Sequence, residues 1–96
     1  MKYQLVLQMP AVPSDSDDLV ALEAEAENLL GEIGIVDGHD LGSGEMNIFI
    51  LTDDPLDAFN RLKPLVAADF AAAYREVGGD DYIVLFPPGR TEFRVL

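Results

Sequence analysis

A chain of 96 residues with 49% apolar content and no cysteine has material for one modest core, read as a single domain over 1–96, and none for a disulfide framework, a thiolate metal site or an iron–sulfur cluster. Eighteen acidic against six basic residues give a formal charge of −12, which opposes approach to nucleic acid and to anionic membrane. No run reaches the roughly 20 apolar residues of a membrane span and no leader pattern opens the chain, so a cytoplasmic protein is expected.

Residues 2–9 alternate, with Tyr3, Leu5, Leu7 and Met9 on one side and Gln4, Val6 and Gln8 on the other, which predicts a half-buried first strand. Pro10 and Pro13 close it. Ser14 with Asp17 fits a capping box, and a helix is expected from there to about Gly31. Leu19, Leu22, Ala26, Leu29, Leu30 and Ile33 form its apolar stripe, with Asp18, Glu23, Glu25, Glu27 and Glu32 largely off it.

Residues 35–41 and 45–52 read as two strands joined across Gly42-Ser43-Gly44, a connection suited to a tight hairpin. The run from Ile48 to Leu51 is apolar on both faces and predicts a central strand. A second helix starts where Asp54 caps, Pro55 takes the first position and Asp57 occupies the first turn. Leu56, Phe59, Leu62, Leu65 and Val66 continue its buried face, and Pro64 is expected to kink or restart it. Residues 72–77 are the next strand candidate, with a start left open by its alanines. Gly78 to Asp81 make a turn, 82–86 a short strand, 87–90 a proline–glycine turn and 91–96 a last alternating stretch.

The element order strand, helix, strand, strand, helix, strand resembles the ferredoxin-like plait over residues 1 to about 77. The resemblance implies an α+β, ferredoxin-like βαββαβ sandwich: an antiparallel sheet, two helices on one face, and an extra C-terminal hairpin or edge strand. It implies no activity, because this fold hosts many. The hairpin with Asp37-Gly38-His39-Asp40 and Gly42-Ser43-Gly44 is also similar to segments of small uncharacterised bacterial proteins of this shape.

The densest polar constellation is Asp37, His39, Asp40, Ser43, Glu45 and Asn47, the candidate ligand-binding set. If a three-residue loop pairs Leu41 with Glu45, then His39 opposes Asn47, and Asp37, His39, Glu45 and Asn47 share one face, with Val36, Met46, Ile48 and Ile50 toward the helices. A two-residue loop puts Asp40 beside Asn47 instead. His39 then reads as a titrating base or weak metal ligand supported by carboxylates; the plainer reading is a hairpin with a wet polar face.

Several specific chemistries fail on inspection. Zinc lacks further nitrogen or sulfur ligands, and no metal or cofactor is expected. A calcium loop counted from Asp37 puts Leu41 and Ile48 where oxygen ligands belong. The glycines join strand to strand, unlike a phosphate loop. Ser43, His39 and Asp37 have a triad's composition but lie on one tight hairpin without an oxyanion donor, so no catalytic residue is assigned. Asp53, Asp54 and Asp57 are explained by capping.

Residues 1–57 hold thirteen acids and only Lys2, whereas 58–96 hold five acids and five bases. Either the glutamates of the first helix are a solvated face, or the first half meets a basic protein. The leading expectation is therefore a non-enzymatic binding or regulatory module, in the manner of acidic immunity and inhibitor proteins. The alternative is a small-ligand or catalytic site on the 37–47 hairpin, completed by pairing of two copies in a homodimer.

Overall fold

The structure is a computed structural model and describes residues 1–10, 16–42, 44–65 and 70–95. The expected capping box of Ser14 with Asp17, the Leu19 side chain, and Ser43, Val66 and Leu96 fall outside the described residues. The elements are β1 (Tyr3–Pro10), α1 (Ser16–Leu30), β2 (Gly34–Gly42), β3 (Glu45–Thr52), α2 (Pro55–Leu62), a 3₁₀ turn (Lys63–Leu65), β4 (Ala71–Glu76) and β5 (Ile83–Phe86). The strands form one antiparallel sheet in the order β2-β3-β1-β4-β5. The chain is thus α+β, with two α-helices among the described residues.

The alternation in β1 is what lets it sit at the centre of this sheet. Leu5 and Leu7 point to the helices and meet Ile48 and Ile50 of β3, Ala72 of β4, Ala26 and Leu30 of α1, and Ala58, Phe59 and Leu62 of α2. Both helices therefore pack on the same face. Leu5, Leu7, Leu30, Ile48, Ile50 and Leu62 are fully buried, and each such aliphatic side chain contributes about 1.5–3 kcal/mol relative to exposure. Phe70 stacks on Phe86 with ring centroids 4.6 Å apart and meets Phe59 at 6.1 Å, an arrangement that extends this core toward the β4–β5 end.

Local chemistry sets the ends of the helices. At the C-terminus of α1, Gly31 takes φ +57° and its N–H donates to the Glu27 carbonyl at 3.1 Å, as a left-handed helix stop requires. Arg61 donates to the Leu30 carbonyl at 3.3 Å, tying the end of α1 to α2. Asp54 caps α2 by accepting from the Asp57 N–H at 3.1 Å, with Pro55 at the first helical turn. The expected break at Pro64 takes the form of the 3₁₀ turn that follows Leu62.

The C-terminal stretch departs from expectation. β5 is the added edge strand, paired with β4, but residues 91–95 form no strand. Residues 87–95 instead run as a strap over the sheet face opposite the helices, where Phe93 is buried against Val6, Ala71 and Ala73, with Phe49, Tyr82, Val84 and Val95 around them. The alternation in 91–95 that suggested a strand is produced by one anchor, Phe93, flanked by exposed Glu92 and Arg94. Burial of the second sheet face, rather than ladder pairing, selects it.

Candidate functional site

The β2–β3 hairpin carries the candidate residues, and its register decides which of them meet. Gly42 pairs with Glu45, leaving two residues in the turn, and Asp40 pairs with Asn47. Gly44 has φ +75°, as the primed turns of two-residue hairpins need. The register shifts between Val36 and Gly38, so this edge strand carries a β-bulge, and one extra residue inverts the alternation beyond it. Val36 and His39 consequently fall on the same side, opposite Ile50 and Ile48, although three positions separate them.

The two-residue turn register divides the six candidates. His39 lies on the helix side, where its Nδ1 is 2.9 Å from Glu23 Oε1 of α1. The imidazole is 40% exposed and the carboxylate 19%, so the pair joins helix to strand at an open seam and contributes about 1 kcal/mol at most. Asp37 is exposed at the bulge. Asp40, Glu45 and Asn47 lie on the opposite face, and Ser43 is outside the described residues. His39 and Asn47 therefore do not share a face. Among the described residues, no three His, Cys, Asp or Glu side chains gather closely enough to hold a metal ion.

On the second face a polar row crosses three strands, Asp40 beside Asn47 and Asn47 beside Gln8, and ends against Ala71 of β4. Gln8 Nε2 donates to Asn47 Oδ1 at 3.0 Å and to the Arg94 carbonyl of the strap at 2.7 Å. Gln8 is nearly buried and Asn47 fully so. Two atoms in this neighbourhood, Asn47 Nδ2 and Glu45 Oε2, are closed off from solvent and have no hydrogen-bond partner among the described residues. Leaving a buried polar group in that state costs about 1–3 kcal/mol, more when it is charged.

Two adjoining clefts open on this row. One, of about 340 Å³, is lined by Gln8, Met9, Pro10, Gly44, Glu45, Ala71 and Arg90. The other, of about 220 Å³, is lined by Gln8, Glu45 and strap residues Arg90, Glu92, Phe93 and Arg94. Arg90 donates from Nε to the Glu92 carbonyl at 2.7 Å and lies 5.9 Å from the Phe93 ring centre. It belongs to no ion pair among the described residues.

Gln8, Arg90 and the strap were not legible as site residues in the sequence. Gln8 reads as an ordinary polar position of an alternating strand, and nothing in 91–95 announces that it folds back over β1. The available signal was Gln4 and Gln8 on the face of β1 opposite the core, since two amides on a central strand need a cover that satisfies them.

Charge is segregated along the sheet. None of the six basic residues lies on α1, β2 or β3. Glu25, Glu27, Glu32 and Asp37 are exposed on α1, on the connection that follows it and on β2. α1 packs against β2, the outer strand on that side, so these acids lie at one end of the molecule. Glu27 is one turn from Glu23, which meets His39, and Glu25 is on the opposite flank of the helix. Arg61, Lys63, Arg75, Arg90 and Arg94 belong to α2, the 3₁₀ turn, β4 and the strap. Comparison with protein-family models, curated proteins and solved structures finds no match, so the functional reading rests on the chemistry of this chain.

Proposed function

We propose that this protein is a non-enzymatic binding module that docks a basic partner protein on its α1–β2 border. The observation that carries the reading is the presence of exposed Glu25, Glu27, Glu32 and Asp37 on α1, its following connection and β2. No basic residue is carried by α1, β2 or β3, and Arg61 reaches only the C-terminal end of α1. Such a field steers a cationic partner and speeds its association in a salt-sensitive way. The setting of His39 agrees with a non-catalytic role: its Nδ1 is engaged by Glu23 at an exposed seam. The order β2-β3-β1-β4, with both helices on one face, supports reading the body as a ferredoxin-like plait extended by β5.

The test uses the wild-type chain and a Glu25→Gln, Glu27→Gln, Asp37→Asn variant as baits in lysate of the native cells, at low salt and at about 0.3 M, where screening falls to several ångströms. The expected result is one stoichiometric basic protein held by wild type at low salt and released both by salt and by neutralisation. A partner indifferent to both treatments, or none at either salt, contradicts the reading.

A further inference from the structure

A second site, independent of the acidic border, lies under the strap. Glu45 and Arg90 line the same two clefts, yet these opposite charges form no ion pair with each other. Charges brought to one cleft and left unpaired are the electrostatic complement of a ligand that carries both. Hydrogen bonding points the same way. Glu45 Oε2 is an acceptor without a donor and Asn47 Nδ2 a donor without an acceptor, Asn47 being fully buried. The amide N–H groups of Gln8 are committed to Asn47 Oδ1 and to the Arg94 carbonyl, so they do not serve Glu45 Oε2.

We propose that this cleft binds a small zwitterion of the α-amino-acid class, its ammonium on Glu45 and its carboxylate on Arg90, with the buried Gln8–Asn47 pair directly behind. Pro10 and Ala71 supply the apolar part of the larger cleft's lining, so the preferred side chain is short and aliphatic. Guanidinium to carboxylate and carboxylate to ammonium are charge-assisted contacts, the kind strong enough to hold so small a ligand. Residues 87–95 are held by Phe93, by the Gln8 bond and by short-range turns, not by a strand ladder.

The experiment is an amide-correlation NMR titration of the full chain, following the side-chain NH₂ signals of Asn47 and Gln8. Free alanine, valine, leucine and glycine are the probes, with propionate and propylamine as single-charge controls. The expected result is saturable movement of both signals with at least one amino acid and none with either control at the same concentration. Glu45→Gln and Arg90→Ala should each weaken that binding about tenfold or more while keeping the dispersed spectrum of a folded chain. The proposal is overturned if no amino acid moves these signals. It is equally overturned if propionate binds as well as the amino acids and Glu45→Gln changes nothing, since that marks Arg90 as a simple anion contact.

Discussion

Gln8 Nε2 lies 3.0 Å from Asn47 Oδ1 and 2.7 Å from the Arg94 carbonyl, so one side chain ties β1 to β3 and clamps the strap over both. Gln8→Ala removes the donor from two acceptors and leaves the buried Asn47 oxygen unpaired. The expected loss is about 2–4 kcal/mol, read from the shift in urea midpoint. A loss below about 0.5 kcal/mol would show that the clamp is not formed.

Phe93 is the apolar anchor of the same strap, buried against Val6, Ala71 and Ala73. Phe93→Ala should cost about 2–4 kcal/mol, the lower part of the range for buried aromatics because the strap can partly collapse into the space. Hydrogen exchange should show faster exchange in residues 87–95 at conditions where β1 and β3 remain protected. Unchanged exchange in the strap would contradict its attachment through this ring.

At the bulge, Gly38 has φ +146° and a Cβ there would meet nothing within 4 Å. Gly38→Ala therefore tests backbone strain without a steric clash. A destabilisation of about 1–3 kcal/mol is expected, with little change in the Gln8–Asn47 contact. A neutral result would mean that β2 runs without this bulge.

Much of the fold was legible because single residues dictated it. Leu5 and Leu7 against Val6 announced β1, Ile48 to Leu51 announced a strand buried on both faces, and Asp54-Pro55 fixed the start of α2. The candidate site was half legible. Asp40 meets Asn47 as the two-residue loop required, and the same register sets His39 opposite Ile48 on the other face; the extra residue at Asp37–Gly38 is what returns Val36 to that face. A bulge costs the sequence no change in composition, so alternation alone cannot reveal it. The strap was illegible for a related reason: its burial depends on one phenylalanine and one glutamine that lie far apart in the chain.

Net charge makes a prediction for the whole body. With a formal charge of −12 and a radius of gyration of 12.3 Å, the acids repel across distances similar to the roughly 8–10 Å screening length at moderate salt. The melting temperature should rise between low salt and about 0.2 M. A flat or falling value would mean that the repulsion is compensated locally.

The most direct test of the docking border compares two variants of equal charge change by titration calorimetry against the captured basic partner. One is Glu25→Gln, Glu27→Gln, Asp37→Asn on α1 and β2; the other is Glu76→Gln, Asp80→Asn, Asp81→Asn at the end of β4 and in the connection after it, all six positions being exposed. The account predicts about a tenfold or greater loss of affinity for the first and less than about twofold for the second. Equal losses for the two variants would reduce the acidity to a property of the whole chain and contradict a border built for docking.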